Sequence, residues 1–350
     1  MADMMKEVVV TEPYHYEIRE VPVPEPKDDE VLIKEMAAGV CGSDIHIYRG
    51  ENPNSRYPLI PGHENVGIVV KVGKDCKKIK AGDHVVIDYV LRDGTCWQCR
   101  HGRGNVCEHV LVRGSGTDGG WREYWTAQES YVYKIDDQIP WKDAALIEPL
   151  TIGEHSTTRA RVAEDDTVFI FGTGTIGTII CQACKLKGVK TIICCDISDS
   201  SLERAKRDFG ADYTINSKTE DVVKRVQEIT DGHGCTVAFD AAAFPGSLTF
   251  VMTPGIVCNA GRVIPLGFST VPEKITQQMI NGRELDIIGT RMSLNQWEPT
   301  AKNMAEGKYH MQGLATTFVK FEDIDQVFEN IVHPDPAVKK TVILFPGAED

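Results

Sequence analysis

The sequence predicts an α/β protein of two domains: a β-rich, partly barrel-like part, then a doubly wound parallel sheet with helices on both faces. Three observations carry this. The chain has 350 residues, the length of about two domains at ~150 residues each. Before about Thr151 it is rich in Gly, Pro and Val, with short apolar runs; beyond it, strand and helix patterns alternate. A glycine-rich segment, Gly172–Gly177, stands between one such strand and one such helix.

In chain order, Glu30–Met36 (EVLIKEM), Val66–Val72 (VGIVVKV) and His84–Tyr89 (HVVIDY) read as strands, separated by turn chemistry such as Lys80–Asp83 (KAGD). Thr167–Phe171 (TVFIF) reads as a buried strand, Thr178–Lys187 as a helix and Thr191–Cys195 as the next strand. Ser201–Phe209 is an amphipathic helix, Ala211–Ile215 a short strand and Glu220–Ile229 another helix. Val237–Asp240, Arg262–Leu266 and Leu285–Ile288 read as further strands, followed by a helix over Gln296–Glu306 and a last strand over Lys340–Leu344.

Composition narrows the function. With 42% apolar residues the chain can bury sizeable cores. Its net charge is −13, from 38 basic and 51 acidic residues, and no long basic run breaks that balance. Phosphate backbones need a cationic face, so nucleic acid is not an expected partner. No stretch approaches the roughly 20 apolar residues of a membrane span. The N-terminal stretch has no apolar segment behind a basic start, so it does not read as a signal peptide, and a cytoplasmic protein is expected. Eleven cysteines in such a chain argue against a disulfide framework. Cys181, Cys184, Cys194 and Cys195 fall in apolar runs and read as small buried hydrophobes, whereas Cys96, Cys99 and Cys107 share one loop and read as metal ligands.

Gly172-Thr173-Gly174-Thr175-Ile176-Gly177 fits G-x-G-x-x-G, and Asp196 closes the second strand 19 residues after Gly177. Together these form a dinucleotide fingerprint. Gly172 allows the tight turn, Gly174 lets the backbone approach the pyrophosphate, and Gly177 lets helix and strand pack closely. The helix N-terminus offers free N–H donors to the phosphates. A carboxylate at Asp196 bonds the adenosine ribose hydroxyls and repels a 2′-phosphate, so NAD is expected over NADP. No arginine follows at once, and Arg204 reads as surface-exposed.

Two constellations suit metals. Asp93-x2-Cys96-x2-Cys99-x7-Cys107 has the tight spacing of a closed tetrahedral zinc site, with Asp93 as the natural fourth ligand and His101 and His109 as competitors. The other is dispersed: Cys41-Gly42-Ser43-Asp44-x-His46, then Gly62-His63-Glu64, then Glu148-Pro149. A Cys, a His and a carboxylate make a zinc site with an open position for substrate or water.

These residues resemble the zinc-dependent medium-chain dehydrogenases, in particular their polyol (sorbitol-type) branch. The likeness covers nearly the whole chain and rests on CGSDIH (41–46), PGHENVG (61–67), AGDHV (81–85), the cysteine loop (93–107), DGGWREY (118–124), IEPL (147–150), GTGTIG (172–177) and GRVIPLGF (261–268). It implies a GroES-like catalytic domain over 1–149 and 290–350, and a Rossmann NAD-binding domain over 150–289, with the active cleft between them. It implies two zinc ions per chain. Where alcohol dehydrogenases carry a second cysteine, this chain has Glu148, so Cys41, His63 and either Glu64 or Glu148 are the expected catalytic ligands. Zinc in such a site lowers the pKa of a substrate hydroxyl. Ser43 is placed to take its proton, with His46 as the outlet, and Asp44 is expected to orient His63. Leu266 and Gly267 join Gly172, Gly174, Ile176, Gly177 and Asp196 as expected cofactor contacts.

For the substrate, Pro272–Thr276 followed by QQMINGRELDIIGTR resembles bacterial L-galactonate and L-gulonate 5-dehydrogenase types. Arg291 follows the last strand of the cofactor domain and suits a sugar carboxylate or hydroxyl pair. Tyr48 and Trp121 are candidate pocket walls. The expectation is oxidation of a sugar acid or polyol, with a simple alcohol or threonine as the alternative substrate and a non-catalytic nucleotide or metal sensor as the alternative class. A homodimer or homotetramer is expected, pairing through Arg262–Leu266 and Leu285–Ile288.

Overall fold

The computed structural model describes residues 3–53, 55–267 and 269–348; Phe268, the last residue of the GRVIPLGF motif, lies outside them. The chain divides into two compact units, one of Met1–Glu148, Leu294–Gly307 and Ala315–Asp350, the other of Pro149–Ser293 and Lys308–Leu314.

The first unit is built on a seven-stranded sheet. Its strand order is Thr317–Lys320, Thr341–Leu344, Glu30–Val40, Glu64–Val72, His84–Ile87 and Val132–Lys134, with Tyr124–Gln128 also paired to Glu30–Val40. Glu30–Val40 is the centre of this sheet and is buried along almost its whole length. It runs four residues beyond the expected end at Met36. The KAGD turn forms as its chemistry requires: Asp83 accepts from the Lys80 N–H at 3.0 Å, and the Gly82 N–H reaches Val69 O at 2.7 Å. A hairpin of Met4–Glu12 and His15–Pro22 adds a separate two-stranded sheet that the sequence pattern did not reveal. Val31, Ile33, Val69, Val85, Ile87 and Trp125 form one core. Val8, Val10, Tyr48, Trp121, Phe328 and Phe345 belong to another.

The second unit is a six-stranded, all-parallel sheet. Its order is Tyr213–Asn216, Thr191–Asp196, Thr167–Phe171, Cys235–Asp240, Val257–Pro265 and Asp286–Ile287. By sequence this is 3-2-1-4-5-6, the doubly wound order whose ligand crevice lies outside the carboxyl ends of the strands. Apolar clusters cover both faces. Cys181, Cys184, Cys194 and Cys195 are wholly buried free thiols, as their apolar surroundings suggest. Lys308–Leu314 joins this unit through side chains: Tyr309 donates to Glu154 at 2.7 Å, and Gln182 accepts from the His310 N–H at 2.7 Å. Val257–Pro265 lies inside the sheet, flanked by a strand on each side, so Arg262–Leu266 has no edge with which to pair another copy; only Asp286–Ile287 lies at that border. Among the described residues no helix is long and apolar enough to cross a membrane.

Candidate metal and nucleotide sites

The dispersed constellation converges. The central strand ends at Val40 and delivers Cys41 as the N-cap of the helix Gly42–Tyr48. Antiparallel pairing of Gly39 with Glu64 brings the start of the neighbouring strand to the same place. Thr341 pairs with Val40, which sets Lys340 beside both. One donor atom each from Cys41, His63 and Glu64 lies within 4.8 Å of the others. Asp44 holds the segments together: its carboxylate accepts from the Cys41 N–H at 2.8 Å and the Gly62 N–H at 3.2 Å, and stands 3.8 Å from His63 Nδ1.

The electrostatics favour a cation. His63, Glu64, Asp44 and Glu148 are all buried, and His63 Nδ1 has no hydrogen-bond partner. Burial would lower the His63 pKa, but Asp44, Cys41 and Glu148 together raise it well above the ordinary value. Burial, and then the charge of Glu64, pushes Glu148 up to about 7. A half-buried thiol with a buried imidazole and carboxylate at this spacing fits zinc. Glu148 is electrostatically coupled to Glu64 and His63 but is not among the three clustered donors.

Two neighbours escaped the sequence reading. Lys340, also buried, bonds Glu64 and donates to Val40 O at 3.0 Å. The Tyr89 ring lies 5.2 Å from that of His63, and its hydroxyl is hydrogen-bonded to Glu148. Nothing in sequence spacing signals Lys340; Tyr89 was legible only as the end of an apolar run.

Ser43 is half-buried on the helix after Cys41, and His46 is exposed with Nδ1 2.6 Å from Glu51. No hydrogen bond joins Ser43 to His46 among the described residues. Tyr48 and Trp121 are both buried. Both pack in the core around Phe328; the Tyr48 hydroxyl is taken by Tyr14 O at 2.8 Å, and Trp121 is fully buried against Gly62. Both side chains are taken up largely by packing.

Asp93, Cys96, Cys99 and Cys107 also bring their donor atoms within 4.8 Å of one another. Backbone N–H groups point at the sulfurs: Cys99 N at 3.4 Å from Cys96 Sγ, and His109 N at 3.3 Å from Cys107 Sγ. Asp93 Oδ1 accepts from Thr95 N at 2.7 Å and Cys96 N at 2.9 Å, which hold the carboxyl below the usual range, while Oδ2 is buried without a hydrogen-bond partner. This donor set fits a closed zinc site. His101 is excluded by its stacking on Trp97, with ring centroids 4.1 Å apart, and exposed His109 is not among the clustered donors.

In the second unit, Gly172 has φ +93°, and a Cβ on Gly177 would stand 1.9 Å from Gly172 O, so helix and strand meet only through glycine. Gly174 caps the helix Thr175–Leu186, which starts three residues before the expected Thr178, and Ile176 lies half-buried in its first turn. Asp196 sits at the end of its strand, half-buried. Leu266 donates its N–H to Asp240 O at 3.1 Å, and Gly267 passes against Ala243. Arg204 departs from its expected exposure: it is half-buried, donating to Gly313 O at 3.1 Å. Arg291 is half-buried, following Asp286–Ile287.

A doubly wound dinucleotide fold in a chain that also carries two zinc-type donor sets defines a zinc-dependent dehydrogenase. Residues 27–137 match the alcohol dehydrogenase GroES-like domain, residues 175–306 match the zinc-binding dehydrogenases, and the chain belongs to that family. It is 32% identical to sorbitol dehydrogenase of Bacillus subtilis over 92% of this chain and 93% of that one. It is 35% identical to L-threonine 3-dehydrogenase of Pyrococcus horikoshii, over 94% and 96%. Among solved structures, the alcohol dehydrogenase RspB of Escherichia coli CFT073, complexed with NADH, superposes with a TM-score of 0.91 at 33% identity, covering 98% of this chain and 99% of that one.

Proposed function

We propose that this dehydrogenase oxidises a secondary hydroxyl of a sugar acid or polyol to the ketone, with NAD as hydride acceptor. The observation that carries this is the Cys41–His63–Glu64 set, with His63 and Glu64 buried, and a second buried carboxylate, Glu148, in place of a further thiol. The sorbitol dehydrogenase likeness supports it. Zinc held there lowers the pKa of the substrate hydroxyl. Ser43 would accept the hydroxyl proton while giving up its own, with His46, exposed one turn along the same helix, as the outlet to solvent. NAD bound beside the substrate would supply the acceptor for the hydride that leaves the carbinol carbon as the carbonyl forms. Gly172, Gly174, Ile176 and Gly177 cradle the dinucleotide, Leu266 and Gly267 flank it, and Asp196 reads the ribose. Asp93, Cys96, Cys99 and Cys107 hold a second, structural zinc. The zinc-bearing unit is the catalytic domain and the parallel-sheet unit the cofactor domain.

Arg291 supplies a cation for the substrate carboxylate, which favours an aldonate over a neutral polyol. The test is NADH absorbance against polyols, aldonates, threonine and simple alcohols, with and without chelator. Arg291→Ala costs an aldonate roughly 2–4 kcal/mol in kcat/KM and a neutral polyol much less. Equal losses make Arg291 structural. Fastest turnover of threonine, which the 35% identical relative supports, gives the second reading. The chain works in the cytoplasm as a homodimer or homotetramer joined through the border strand Asp286–Ile287, and a monomer in sedimentation at micromolar concentration overturns that assembly.

A further inference from the structure

The carboxylate of Asp196 is held in place by the chain itself. Oδ1 accepts from the N–H groups of Ile197 at 2.7 Å and Ser198 at 3.0 Å. Oδ2 accepts from Thr173 twice, from its N–H at 2.7 Å and its hydroxyl at 2.8 Å. Four donors from the chain therefore fix the direction of this carboxylate. Three of the four are backbone groups that any residue supplies. The fourth belongs to one side chain, and Thr173 is fully buried, behind a half-buried Asp196.

We propose that the Thr173 hydroxyl is a positioning residue for cofactor choice: by clamping Oδ2 from the buried side, it fixes the Asp196 charge where an adenosine ribose carries either a 2′-hydroxyl or a 2′-phosphate. This rests on the reading that Asp196 meets that ribose. The clamp matters because a positive charge also acts on this carboxylate. Arg204, half-buried on the helix Asp199–Asp208, interacts electrostatically with Asp196. Without the hydroxyl, Oδ2 keeps only the Thr173 N–H, so the carboxylate is held less firmly against the pull of that guanidinium and its charge is less well placed at the ribose position. NADH then loses an acceptor while NADPH loses a repulsion, so the selectivity falls from both sides.

The experiment is a titration of the full-length protein with NADH and with NADPH, followed by nucleotide fluorescence, for the wild type, Thr173→Val and Thr173→Ser, with Tm recorded for each. The wild type is expected to favour NADH by well over tenfold. Thr173→Val, which keeps the shape and removes the donor, lowers that preference about tenfold, the size expected for one hydrogen bond to a charged group. Thr173→Ser keeps the preference within about twofold, even where the lost methyl lowers Tm. Should the valine variant fail to fold, Thr173→Ala removes the same hydroxyl and is read in the same way. An unchanged preference without the hydroxyl overturns the proposal alone, as does a serine variant that loses selectivity like valine. A wild type that binds both nucleotides equally overturns the ribose reading of Asp196 and the proposal with it.

Discussion

The two metal-type donor sets are assembled in opposite ways. Asp93, Cys96, Cys99 and Cys107 come from one short loop whose own N–H groups point at its own sulfurs and carboxylate. Cys41, His63, Glu64 and Glu148 come from the end of a central strand, the start of its neighbour and the head of a helix. The loop needs only its local turns. The dispersed set needs the register of three strands, since a one-residue slip sends a strand's side chains to the opposite face. Removing the metal should therefore damage different things at the two places: chemistry at the dispersed set, local order at the loop.

The sharpest separation comes from His63→Ala. It leaves an open cavity in the three-donor set, and kcat/KM is expected to fall at least about 1000-fold, with zinc content dropping from two ions to one. The strands that carry Cys41 and Glu64 do not depend on that imidazole, so the far-ultraviolet circular dichroism should stay as in the wild type. Activity surviving above a hundredth of wild type breaks the assignment of this set as catalytic.

Lys340→Met tests whether the dispersed set is fused to the fold. Lys340 and Glu64 are 5% and 1% exposed, and removing one partner leaves the other charge buried. Breaking such a pair typically costs about 3–5 kcal/mol, which urea denaturation will read as a lower midpoint. Adding Glu64→Gln should recover much of the loss, because the uncompensated charge goes with it. If the single variant is as stable as wild type, the ion pair contributes nothing and the contrast with the self-contained loop weakens.

The same contrast explains what was legible in the sequence. The loop could be read from spacing alone, because its ligands and the turns that aim them are consecutive. The GTGTIG fingerprint was legible for the same reason, as were the strands around it. Lys340 lies 276 positions from Glu64, and only the pairing of Thr341 with Val40 brings them together. Tyr48 and Trp121 stand beside motif residues in sequence, yet the packing around Phe328 turns them inward, where adjacency carries no information. Lys308–Leu314 returns to the parallel-sheet unit through Tyr309 and His310, polar anchors that no apolar periodicity announces.

Cys96→Ser should show the loop's independence. Losing one of three thiolates empties that site and frees the segment 93–113 to limited proteolysis, with Tm lower by roughly 5 °C. The value of kcat/KM should remain within about threefold of wild type, because no ligand of the dispersed set lies in that loop. A fall in activity as large as that of His63→Ala would join the two sites and erase the distinction between them.

The smallest effect is expected at Asp93. A carboxylate among three thiolates is the harder donor, and zinc binds sulfur well, so Asp93→Cys strengthens the metal bond. The same change removes the caps that Asp93 Oδ1 provides to Thr95 N and Cys96 N, each worth about 1 kcal/mol. Gain and loss nearly offset, and the variant should match wild type in stability within about 1 kcal/mol while releasing zinc more slowly to a chromophoric chelator. Asp93→Asn provides the converse case. The amide oxygen keeps the two caps but brings no charge to the metal, so zinc should leave faster while the turn survives. The buried Oδ2, which accepts no hydrogen bond and stands 4.0 Å from His109 Nε2, is what makes these two variants diverge. If Asp93→Asn holds zinc as tightly as wild type, the carboxylate only caps the turn, and the loop binds its metal through the three sulfurs and a donor other than Asp93.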